Sequence, residues 1–90
     1  MPLFTYVGHY QGRLRIDQDR RSNYSGFAPL VLGRMADDGL LGSSNGLRKE
    51  MADKAYRATW SPIQNQSNIW RMKFDLGGGE LELYAVETKD

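Results

Sequence analysis

Ile69-Trp70-Arg71-Met72-Lys73-Phe74-Asp75-Leu76, then Gly77-Gly78-Gly79, then Glu80-Leu81-Glu82-Leu83-Tyr84-Ala85 is the stretch that decides the fold. Trp70, Met72, Phe74 and Leu76 share one face of an extended chain and Arg71, Lys73 and Asp75 the other, the period-two pattern of a half-buried strand. Leu81, Leu83 and Ala85 repeat the spacing after the glycines, so the segment predicts a β-hairpin. A two-residue turn at Gly78-Gly79 sets Leu76 against Leu81, Phe74 against Leu83 and Met72 against Ala85, keeping the apolar side chains on one face. A three-residue loop would slip the register by one and set carboxylates against that face.

A second hairpin is predicted at the start of the chain. Leu3 to His9 is rich in aromatic and β-branched residues, Gln11-Gly12 supplies the turn, and Arg13 to Ile16 returns with Leu14 and Ile16 on one side and Arg13 and Arg15 on the other. Asp17 to Gly26 has no periodicity and reads as a loop. Residues 27–38 admit either a helix opened by Pro29, with Val31, Arg34, Met35 and Asp38 at helical spacing, or a strand from Phe27 to Leu32. A second helix is expected after an Asn45 cap, with Leu47, Met51 and Ala55 recurring every four residues. Tyr56 to Trp60 reads as a strand stopped by Pro62. The sum is one α+β domain over residues 1–90: an antiparallel sheet of about five strands, two hairpins plus one strand, with one or two short helices packed on one face.

The totals bound the function. A chain of 90 residues supports a single small core. It has no cysteine, which excludes disulfides, a thiolate nucleophile and cysteine-ligated zinc, and favours a reducing compartment. The first residues lack the basic start and apolar run of a signal peptide, and no apolar stretch reaches bilayer-spanning length, so the expected location is cytoplasmic, without membrane contact. Net charge is +1, with +5 over residues 1–73 and −4 over 74–90.

Chemistry-bearing constellations are few. His9 is the single histidine, has no second His or Cys to share a metal, and sits in a predicted strand. Asp17-Gln18-Asp19 opens like a calcium loop, but Arg20 and Arg21 follow where further ligands would be needed. Gly77-Gly78-Gly79 leads into a strand, whereas phosphate loops lead into a helix. The expectation is therefore no enzyme, cofactor or metal. A hydrolase or transferase would need carboxylates from distant segments to converge in a pocket.

Two binding surfaces stand out instead. The outer face of the C-terminal hairpin combines Arg71, Lys73 and Tyr84, a mixture suited to a protein partner, and an unpaired edge strand could join a second copy in a homodimer. This makes a protein-interaction module, accessory or inhibitory in role, the first expectation. The alternative is a nucleic-acid binder using Arg13, Arg15, Arg20, Arg21 and Tyr24, whose guanidinium groups could grip phosphates while the tyrosine stacks on a base.

Overall fold

The computed structural model describes residues 2–23 and 28–88. Its elements run β1 (Leu3–Tyr10), β2 (Arg13–Arg20), α1 (Ala28–Asp37), a 3-10 turn (Gly42–Leu47), α2 (Arg48–Arg57), β3 (Ser61–Pro62), β4 (Ile69–Leu76) and β5 (Gly79–Thr88). The strands form one antiparallel sheet in the order β2-β1-β5-β4-β3, so the two hairpins lie side by side with β5 next to β1. This is the α+β architecture that the alternating hairpins imply.

One face of the sheet is covered by the helices. Phe4, Tyr6 and Tyr10 from β1, Met72 and Leu76 from β4, and Leu81, Leu83 and Ala85 from β5 meet Val31, Leu32 and Met35 of α1, Leu40 and Leu41 of the connection, and Met51 and Ala55 of α2. Gly8 is a point of close approach between α1 and the sheet. A Cβ there would lie 2.4 Å from the Met35 sulfur, so the absence of a side chain lets the helix settle onto β1.

Within residues 27–38, Ala28–Asp37 form helix. Val31, Leu32, Met35 and Ala36 fall on one buried stripe, which outweighs the propensity cost of Gly33 within it. Phe27, one end of the alternative strand, lies outside the described residues.

Four boundaries differ from the sequence reading. β2 continues through Asp17, Gln18 and Asp19 to Arg20 rather than giving way to a loop at Asp17. Its alternation persists in polar residues, which hydrophobic periodicity does not register. Asn45 is not a helix cap. It lies inside the 3-10 turn, and α2 starts at Arg48 with no side-chain cap bond at Leu47. The strand expected from Tyr56 to Trp60 is instead the end of α2, which runs to Arg57, and an extended link; β3 is only Ser61–Pro62. The buried pair Met51 and Ala55 holds that last turn, overriding the β preference of its aromatic and β-branched neighbours.

The fourth difference is the C-terminal turn. Gly77 and Gly78, at φ +54° and +86°, make the two-residue turn, so Leu76 pairs with Gly79, Phe74 with Leu81, Met72 with Leu83 and Trp70 with Ala85. The shift from the expected register is two residues, which keeps every apolar side chain on its face. It sets Lys73 directly opposite Glu82 rather than diagonal to it.

Candidate functional site

Among the described residues no helix packs on the other face of the sheet. Strand pairing lays out its rows: Ile16, Val7, Tyr84 and Arg71 run side by side across β2, β1, β5 and β4, and the next row is Leu14, His9, Glu82 and Lys73. Gln18, Thr5, Val86 and Ile69 form a third. The surface is therefore apolar at its centre and charged toward β4. Leu14 and Ile16 are 52% and 61% exposed, far more than their counterparts on the helix side. Arg71 and Tyr84 are half-buried neighbours, Lys73 is exposed, and the Tyr84 hydroxyl donates to Glu82 Oε2 at 2.9 Å. The structure thus brings Arg71, Lys73 and Tyr84 together on this open face.

The arginines of the N-terminal third do not form one patch. Arg13 and Arg15 project to the helix side of β2, opposite in direction to Arg20. Arg15 donates through Nε to the Asp38 carbonyl at 2.7 Å and through Nη1 to the Leu14 carbonyl at 2.8 Å. Arg21 is paired with Asp19 at 2.7 Å, its side chain 11% exposed. Tyr24 lies outside the described residues.

Their place is taken by an ion network between β2 and α1. Arg34 of α1 reaches Asp17 at 2.7 Å and Asp19 at 3.1 Å, and Arg48 of α2 reaches Asp37 at 2.5 Å. The Arg34 guanidinium donating to Asp19, with Arg21 beside it, holds the Asp19 carboxyl below its ordinary range. Burial pushes the Tyr6 phenol up, against the pull of Arg21. Sequence reading missed Arg34 because its partners lie on a strand segment taken for a loop.

A cleft of about 430 Å³ opens over this network, lined by Arg15, Asp17, Arg34, Asp37 and Asp38 with Ile16 and Met35. It is the place where carboxylates from distant segments converge, and each faces an arginine: Asp17 faces Arg34, Asp37 faces Arg48, and Asp38 faces Arg15. Among the described residues no three His, Asp or Glu side chains are grouped to hold a metal ion. His9 is exposed on the open face, across from Leu14 and Glu82. No helix of the described residues is long and apolar enough to cross a membrane.

The chain matches no protein-family model and shows no significant similarity to a curated protein or to a solved structure.

Proposed function

We propose that this chain is a non-enzymatic protein-interaction module, accessory or inhibitory in role, that takes a protein partner on the open face of its sheet through Arg71, Lys73 and Tyr84. The observation that carries the reading is the one-sided layering. A five-stranded sheet with helices on one face leaves a continuous second surface, and here that surface mixes Val7, Tyr84 and Val86 with Arg71 and Lys73. Tyrosine and arginine side by side, ringed by aliphatic groups, are the residue types that concentrate binding energy in protein interfaces. The engaged state of the cleft's charges favours a stabilising role for them over a chemical one. The lack of cysteine supports a reducing, cytoplasmic setting.

The test is the double variant Arg71→Glu/Tyr84→Ala. It should retain the wild-type circular dichroism spectrum and thermal midpoint while losing the partner that the wild-type chain retains. Equal retention by the variant would remove this face from the reading.

A further inference from the structure

The two edges of the sheet are treated differently. The β4 edge is guarded: β3 covers Trp70 and Arg71 with a two-residue strand containing Pro62, and Lys54 of α2 donates to the Asp75 carbonyl at 2.6 Å. Among the described residues no further strand covers the β2 edge, and the main-chain groups met there are bonded only by the strand's own side chains. Its eight residues pair with β1 without a bulge from Tyr10–Arg13 to Leu3–Arg20, it contains no proline, glycine or lysine, and it carries the exposed Leu14 and Ile16. A long, regular edge with exposed apolar residues is a template for another strand.

Hairpin geometry says which main-chain groups are offered. The two-residue turn makes Tyr10–Arg13 a hydrogen-bonded pair, and Arg21 N–H donating to the Pro2 carbonyl at 3.1 Å continues that parity. Arg13, Arg15, Asp17 and Asp19 therefore turn their main chain toward β1, and Leu14, Ile16, Gln18 and Arg20 turn theirs to the open edge. On the helix side the strand reads Arg13, Arg15, Asp17, Asp19, two cations followed by two anions. That order is complementary to itself when reversed.

We propose that β2 pairs antiparallel with β2 of a second copy of this chain, about a two-fold axis at Ile16, giving a continuous ten-stranded sheet. Arg13 then faces Asp19 of the second copy, and Arg15 faces Asp17, in the non-hydrogen-bonded positions where side chains approach most closely. Ile16 meets Ile16 and Leu14 meets Gln18 on the open side, with roughly six main-chain hydrogen bonds across the seam. The neighbouring registers are worse. Shifting by two places sets Arg15 against Arg15, or Asp17 against Asp17, and like charges directly opposite destabilise a pair. The isologous contact closes on itself, as a dimer requires.

Three charged side chains already reach main-chain groups of that edge. Asp17 accepts from the Gln18 N–H at 3.0 Å, Asp19 from the Arg20 N–H at 2.9 Å, and Arg15 donates to the Leu14 carbonyl. In the dimer the ladder supplies those main-chain partners, and Arg15, Asp17 and Asp19, while keeping their pairs with Asp38, Arg34 and Arg21, gain opposite charges across the seam.

The mass of the full chain in solution, followed by sedimentation velocity across the micromolar range, tests the proposal. The wild-type chain should sediment at twice its 10.2 kDa mass. Ile16→Lys, which places like charges on the axis, and Arg13→Asp/Arg15→Asp should each sediment as single chains with unchanged circular dichroism. Mixing Arg13→Asp/Arg15→Asp with Asp17→Arg/Asp19→Arg should restore the dimer, each variant alone being monomeric. A wild-type chain that stays at 10.2 kDa throughout overturns the proposal. So does a dimer that survives Arg13→Asp/Arg15→Asp but not Ile16→Lys, since that pattern marks packing of two open faces. Arg71 and Tyr84 are outside the seam, so these outcomes are independent of the partner-binding test.

Discussion

The Tyr10 hydroxyl donates to the main-chain carbonyl of Leu76 at 2.7 Å, both residues fully buried, and so ties the first hairpin to the end of β4 across the intervening β5. The bond joins two turns 66 residues apart in sequence at the same end of the sheet.

Tyr10→Phe keeps the ring and removes only that bond. It should lower the stability of the fold by about 1 kcal/mol, the ordinary net value of a buried neutral hydrogen bond. The chemical-denaturation midpoint should fall with an unchanged slope, and no fall would mean that the hydroxyl contributes nothing to the joint.

The β2–α1 network predicts acid sensitivity. Asp19 in the folded chain has a pKa below its ordinary 3.8, because Arg34 hydrogen-bonds its charged form. The unfolded chain takes up the proton first, so the stabilisation is complete above that value and fades as pH falls through the lower, folded one. Arg34→Ala should flatten this acid slope and lower stability only slightly near neutrality, since exposed ion pairs are largely screened. An acid slope identical in the two proteins would remove Arg34 as its cause.

Alkaline pH should act in the other direction through Tyr6. Its folded pKa is raised above 10.0 by burial, so its contribution is complete below that value and lost as pH rises through the folded one. Tyr6→Phe should retain stability better than wild type between neutrality and strongly alkaline pH.

The C-terminal turn gives a backbone test. Gly78 has φ +86° with open space around its Cβ position, so Gly78→Ala should cost about 1 kcal/mol from conformation alone. Gly77→Ala should cost more, since its Cβ would also lie 2.3 Å from Leu47 Cδ1. Gly79→Ala carries no positive-φ cost, and its loss comes only from crowding Gln11 at 2.9 and 3.1 Å and the Tyr10 ring at 3.3 Å. Denaturation of the three variants ranks them, and a largest loss at Gly79 would move the turn by one residue.

These cases show what the residues made legible. The period-two run from Trp70 to Ala85 identified the hairpin and its buried face because both depend only on alternation. It put the register off by two, at a Gly78-Gly79 turn, since three consecutive glycines allow either pair to turn and alternation is the same in both. Asp17 to Arg20 was illegible as strand because its covered side is filled by salt bridges to Arg34, a residue of another element. Arg71, Lys73 and Tyr84 could be placed together from alternation and a hairpin alone. The dispersal of Arg13, Arg15, Arg20 and Arg21 could not, since it turns on β2 continuing and on which side the helices cover.

That dispersal carries its own expectation. With Arg15 and Arg21 engaged by Asp38 and Asp19, generic single- and double-stranded nucleic acid should show no binding by fluorescence anisotropy at near-physiological salt. Micromolar affinity that weakens log-linearly with salt would contradict this.

Differential capture measures the central claim most directly. Wild-type chain, Arg71→Glu/Tyr84→Ala and a helix-side control, Lys49→Glu, are immobilised at equal density and exposed to the same cell extract. The bound proteins are then quantified. A partner retained in proportion by wild type and control and lost from the double variant is the predicted result. A partner retained equally by all three, or lost only from the control, would contradict the assignment of the open sheet face as the binding surface.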